Sequence, residues 1–396
     1  IGDSGAAGTD IAGTTFGTLT VAEMTLNGTG RALNLITGTL NGNFIDIDAT
    51  SGSNQGVRFD AVGGTWSVTN RVDIGNVGAT GFNITNAPAG ASVTLSGGLL
   101  VNKTAAGAAV FLQTNNAGAT INLGVISLTT AASAGLSVTT SPVTLTGTTG
   151  TINATGGPAI DASTATFVGG ATLATVSSTG SGTTGINLNG VSGNLIMNGG
   201  AIATATGNDF DVNAGAANIT YAGTITNTAA RSVDITNRTG GTVTLSGAIS
   251  ETGTGINLTG NTGGTISFSG GVAASTGANI AFNATGGGTI NVTGTNTAAT
   301  TAATAVNIAN TTIGASNVNF RSISANGGAN GIVLNNTGST GGLVVTGTGA
   351  AGTGGTIQNT TTRGASFIDA SNISLSWMNF TNAATADFPA APTGLS

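Results

Sequence analysis

The chain has no cysteine and no histidine, a single lysine (Lys103) and only two glutamates, Glu23 and Glu251. Without cysteine no disulfide can form, and without thiolate or imidazole the usual zinc sites are excluded. Charged residues are 6% of the chain, where about a quarter is usual. The eight bases are scattered: Arg31, Arg58, Arg71, Lys103, Arg231, Arg238, Arg321 and Arg363. Binding nucleic acid needs clustered Lys and Arg, so with a net charge of -6 no nucleic acid partner is expected. No apolar run approaches the ~18 residues that suggest a membrane span, so no span is expected. Long helices are poorly supported, because 68 glycines and many Thr, Val and Ile residues work against them. The chain opens Ile1-Gly2-Asp3, without methionine or a signal peptide, which reads as a processed product or an excised segment.

What is present is a rhythm. Hydrophobic residues make up 39% of the chain and fall mainly in alternating triplets, the mark of a strand with one buried face. Gly185-Ile-Asn-Leu188 is followed by Gly193-Asn-Leu-Ile-Met197, and Gly255-Ile-Asn-Leu258 by Gly264-Thr-Ile-Ser-Phe268. One inward position per repeat serves as a ruler: Leu35, Phe59, Ile84, Leu112, Val138, Ala162, Leu188, Val212, Ile235, Leu258, Phe282, Ile308, Leu334 and Phe367. From Leu188 to Ile308 the steps are 24, 23, 23, 24 and 26 residues; the last, from Leu334 to Phe367, is 33 and implies a loop insertion or a misassigned rung. A second strand follows each first one, 9 residues on from Leu188 to Met197 and 10 from Leu258 to Phe268. A third apolar spot follows at Ile202, Ile225, Ile249, Val272 and Ile323.

Three strands per repeat predict an all-β fold, a right-handed three-sided parallel β-helix (β-solenoid). It has about 14 rungs of roughly 23–28 residues, since one turn cannot bury its apolar face alone and must stack on the next. At about 4.8 Å per rung this is a rod of roughly 65 Å. Right-handed coiling follows from the general handedness of crossover connections. One elongated solenoid is expected over 1–382, with 1–15 as an irregular N-terminal edge. Residues 383–396, which hold Pro389 and Pro392, read as a tail or linker. Glycine and asparagine suit the corners, where positive φ is often needed. Asn237, Asn261, Asn283, Asn310 and Asn336 are placed there, where stacked amides would form ladders.

Gly241-Thr-Val-Thr-Leu-Ser-Gly247 and its echo Gly264-Thr-Ile-Ser-Phe-Ser-Gly270 resemble bacterial exported surface proteins with long β-helical regions. These are autotransporter passengers, filamentous-haemagglutinin-like adhesins and other pectin-lyase-like repeat proteins. The resemblance covers most of residues 15–380. It implies an extracellular or bacterial cell-surface location and a part in adhesion, fibre or matrix. Expected partners are copies of the chain end to end or the rest of a longer chain, and surface glycans.

The resemblance also raises a polysaccharide-binding or polysaccharide-cleaving alternative, because pectin-lyase-like enzymes mount acids on an outward strand face. Asp161, Asp211 and Asp234 take the outward middle position of the first strand, with Asn187 between the first two. Asp209 is expected on the same face as Asp211. Close carboxylates repel and would share a proton or a cation, so Asp209, Asp211 and Asp234 are the candidate metal residues. Weakly bound Ca2+ is the only cofactor considered. The plainer reading is solvated acids eased by Arg231 and Arg238, and the scattered arginines do not supply the basic groups a uronate-cleaving enzyme needs. No catalytic residue is assigned, and the chain is not expected to be an enzyme.

The outer row of the second strand reads Thr94, Asn122, Thr144, Thr166, Ile196, Thr220, Thr244, Ser267, Asn291, Asn319 and Val344. A flat threonine array would suit ice, a third reading, but Ile196 and Val344 interrupt it. Trp66, Phe268, Phe282 and Phe320 have the phase of core residues. Trp377, Met378 and Phe380 are read as either a cap on the last rung or a contact surface.

Overall fold

The computed structural model describes residues 8–381. Among them there are forty strands and no helix, and each strand pairs in parallel with its equivalent in the next turn. The pairing skips three strands at a time, as in the strands at Ile256–Thr259, Phe282–Thr285 and Val306–Ala309, so there are three strands to the turn. The fold is a β-solenoid of about 16 turns, close to the fourteen expected. The chain divides between Thr224 and Ile225 into two compact units, where the rhythm alone predicts one solenoid over 1–382. The expected tail at 383–396 lies outside the described residues.

In the first unit the ruler holds throughout. Leu35, Phe59, Ile84, Leu112, Val138, Ala162, Leu188 and Val212 are register partners from turn to turn. All are buried. This unit has a turn that the ruler misses. The strand Thr9–Gly28 lies in parallel register on Arg31–Gly52, with Gly13 opposite Leu35 and Leu26 opposite Ile47. Residues 9–15 are therefore strand and not the irregular edge expected over 1–15. The triplet that should have announced them is diluted by Gly13, Thr14 and Thr15, which carry too little apolar surface to count. Phe44, Trp66, Phe59 and Phe82 form an aromatic column inside this unit, with successive centroids 6.3, 4.5 and 6.5 Å apart. Trp66 is buried, as its phase predicts.

In the second unit the register runs Ile235, Leu258, Ala284, Ile308, Leu334 and Phe367. The ruler errs once here. It takes Phe282, but Phe282 pairs with Ile256 and Val306, one inward position earlier, and Ala284 holds the equivalent site. Phe282 fills that space with its ring, 5.7 Å from Phe268 and 6.0 Å from Phe320, so the neighbouring inward residue can be small. The 33-residue step to Phe367 is a true turn. Its extra residues lie between the strands Leu343–Val345 and Thr356–Gln358, in turns where Thr353 N–H donates to Ala350 O and Gly355 N–H to Gly352 O.

Candidate functional site

The outward middle position of the first strand carries the polar side chains of interest. In the second unit four of them stand in register: Asp234, Asn257, Asn283 and Asn307. Asn307 Nδ2 donates to Asn283 Oδ1 (2.7 Å), Asn283 Nδ2 to Asn257 Oδ1 (2.9 Å), and Asn257 Nδ2 to Asp234 Oδ1 (2.7 Å). Every amide points the same way. A carboxylate can only accept, so it sets the first amide, and each aligned dipole sets the next. Thr259 Oγ1 adds a donor to Asn257 Oδ1 at 2.8 Å. The ladder predicted at the corners thus stands on a strand face. The corners hold amide steps too, from Asn336 Nδ2 to Asn310 Oδ1 at 3.1 Å and from Asn359 Nδ2 to Asn326 Oδ1 at 2.8 Å. Asn261 turns inward instead, donating to Ile235 O and accepting from Arg238 N–H.

The matching row in the first unit is Asp161, Asn187 and Asp211. Asn187 Nδ2 donates to Asp161 Oδ1 at 2.8 Å. The chain of amides stops there, because the next residue is another carboxylate and has no N–H to offer. Asp211 Oδ2 accepts instead from Asn208 Nδ2 of its own turn, at 2.8 Å.

These contacts locate the three candidate cation residues. Asp209 is fully buried and not on the outer face expected for it. Its Oδ1 accepts from Ala205 N–H at 2.9 Å, closing the corner that precedes its strand. Its negative charge adds to burial in pushing the Tyr221 phenol upward in pKa. Asp211 and Asp234 are half-buried on strand faces, in the first and second unit respectively, and each accepts from an asparagine amide. Among the described residues no three acids come together as a metal-holding group.

Beside the amide ladder of the second unit lies an open depression of about 220 Å3. It is lined by Arg231, Thr254, Asn257, Asn279, Ile280 and Asn283. Arg231, Thr254 and Asn279 come from the corners that lead into three successive first strands, and Asn257 and Asn283 from the faces of two of them. Arg231 Nη1 donates to Thr254 O (3.3 Å) and Gly255 O (3.5 Å), two long hydrogen bonds that hold the guanidinium loosely along the wall. Among the described residues Arg231 forms no ion pair. A depression of about 200 Å3 in the first unit is lined by Asn115, Thr140, Ser141, Thr164, Thr166 and apolar neighbours, with no charged residue. The sequence treats Arg231 only as a neighbour of acids and does not single out Thr254, Asn279 or Ile280. The spacing of 23 and 25 residues from Arg231 through Thr254 to Asn279 was the available signal.

The threonine row is broken in the first unit. Thr94, Asn122 and Thr144 are in register, but Thr166 pairs with Pro142 and Ser192, and the exposed Val168 follows. At the last turn, Phe367, Ile368, Trp377 and Phe380 are all exposed, at 39%, 53%, 50% and 48%, so these side chains are not buried as a cap.

No family model, curated protein or solved structure matches this chain. Among the described residues no helix is long and apolar enough to cross a membrane.

Proposed function

We propose that this chain is a non-catalytic structural and adhesive solenoid of a bacterial exported surface protein, working outside the cell in a fibre or matrix. The observation that carries this reading is the apolar surface left on the last turn. Phe367, Ile368, Trp377 and Phe380 expose large side chains there, while six large hydrophobic residues in all are exposed among the described residues. An open strand edge with apolar side chains invites pairing with another chain. Among the described residues the strand Thr9–Gly28 is paired on one side, to Arg31–Gly52. A head-to-tail contact between unlike edges propagates rather than closes, so copies stacking in this way form filaments.

Electron microscopy of the purified chain at several concentrations tests this. Fibres with a regular axial repeat that lengthen with concentration are the expected result, and Phe380→Lys shortens them. Separate particles at every concentration would remove the stacking reading. A second reading, saccharide binding on a lateral face, is favoured by the depression at Arg231.

A further inference from the structure

We propose that the depression beside the amide ladder of the second unit binds a sugar acid, with Arg231 as the carboxylate clamp. Three observations carry this. Arg231 uses only Nη1, on two backbone carbonyls, which leaves Nε and Nη2 without a protein acceptor among the described residues. A guanidinium edge of two N–H groups matches a planar carboxylate two bonds at a time.

The ladder supplies the second observation. Asn257 and Asn283 each spend one Nδ2 hydrogen on the ladder, and a primary amide has two. Each therefore keeps one N–H for a ligand hydroxyl, on a side chain that the ladder holds in one orientation. Asn279 is exposed and bonded only weakly, through Nδ2 to Gly253 O at 3.4 Å, so it can turn toward a ligand. The third observation is composition and size. Ile280 is half-buried among these polar groups and offers an apolar patch for the C–H face of a ring. The space of about 220 Å3 falls below the range that takes drug-sized ligands and suits one small ring.

Local charge agrees. Over the described part of the second unit there are four arginines against Asp234, Glu251 and Asp369. Arg238 and Glu251 are buried, and the Asp234 carboxylate at the foot of the ladder accepts from Asn257. The site deepens the adhesive reading and rests on it for the source of the ligand, a surface glycan.

The test is a ligand-observed NMR titration of the whole chain with glucuronate, glucose and acetate, with Arg231→Gln and Asn283→Ala as variants. Glucuronate is expected to bind with a Kd on the order of 1 mM, with glucose and acetate each at least about tenfold weaker. Arg231→Gln is expected to lose the response to glucuronate while its melting temperature stays unchanged; Asn283→Ala is expected to weaken it severalfold. Equal binding by Arg231→Gln, no response to glucuronate, or acetate matching glucuronate would each overturn the proposal. Fibre formation is read separately by microscopy, so loss of the filament reading and loss of this site are distinguishable.

Discussion

In the first unit the corner after the first strand is turned by Thr37, Ala61, Asn86, Thr114, Thr140, Thr164, Gly190 and Ala214, each at positive φ. In the second unit the same corner is turned by Asn237, Gly260, Gly286, Asn310, Asn336 and Asp369, again all at positive φ. The backbone demand is the same in every turn, two residues beyond the ruler position. The residues that meet it differ. Glycine takes this conformation without steric cost, and asparagine and aspartate tolerate it; threonine and alanine hold it against a Cβ clash of roughly 1–2 kcal/mol. The first unit thus carries strain at corners where the second carries almost none. Something else must hold those corners. Part of it is visible in the 2.8 Å contact between the Thr140 and Thr164 hydroxyls of successive turns.

The units also differ in buried charge. In the second, the buried Glu251 accepts from Ser232 N–H and Gly253 N–H, joining two corners 19 residues apart. In the first, the buried Lys103 donates to Ala105 O, Ala106 O and Gly107 O at 2.7, 2.6 and 2.7 Å, a local cage. Glu251→Ala has the largest expected effect. It leaves one buried and one half-buried N–H without an acceptor and should cost about 2–4 kcal/mol. Amide exchange read residue by residue should accelerate in the second unit while the first unit keeps its protection. Equal acceleration in both would mean that the two compact units unfold as one.

The pH response separates the units next. Burial pushes the Lys103 amine down to about 8, from 10.5. Between those values the unfolded chain holds a proton that the folded chain has released, so stability rises with pH through the window. The ceiling is about 3 kcal/mol, and the three carbonyls, which favour the charged amine, bring the observed gain below it. Tyr221 acts oppositely. Burial and the charge of Asp209 raise its phenol above the usual 10.0, so above about pH 10 the unfolded chain loses a proton that the folded chain keeps. The first unit should therefore gain stability from pH 8 to 10 and lose it beyond. The second unit contains neither lysine nor tyrosine and should stay flat. Lys103→Met should abolish the rise seen in unit-resolved exchange.

The ladders give a smaller effect and show what was legible in the sequence. The coil, its three strands and the inward phase of Trp66, Phe268, Phe282 and Phe320 all follow from alternation and spacing, because burial acts on every other residue of every strand. Asn283 was misplaced for one reason. Choosing Phe282 as the ruler residue shifts that turn by two and puts Asn283 at a corner, whereas Ala284 restores it to the row with Asn257 and Asn307. Size misled where register decided. The burial of Asp209 was illegible for another reason: its side chain folds back onto Ala205 N–H, a corner contact that strand periodicity does not encode. Asn283→Ala removes two ladder bonds and should cost about 1–2 kcal/mol. Asp211→Asn in the first unit places an amide opposite Asn187 and should gain about 0.5–1 kcal/mol by extending the short ladder. Denaturant melts of both variants check the pair, and a loss with Asp211→Asn would show that the outer row is held by charge rather than by amide alignment.

The smallest expected effect bears directly on the corners. Thr114 is exposed, sits at φ 54°, and its backbone N–H donates to Thr139 O at 2.9 Å. Thr114→Asn keeps that backbone bond and replaces a β-branched residue with one that tolerates the left-handed region, so it should stabilise by roughly 0.5–1 kcal/mol. The reciprocal change, Asn310→Thr in the second unit, adds the same clash and also removes the acceptor of Asn336 Nδ2, so its cost should exceed the gain at Thr114. Two melting curves measure both. If Thr114→Asn is neutral while Asn310→Thr is costly, the conformational penalty is small at this corner, and asparagine matters in the second unit for its side-chain bond. If the two effects are equal and opposite, φ alone decides, and the threonine corners of the first unit are a standing strain that single substitutions relieve turn by turn.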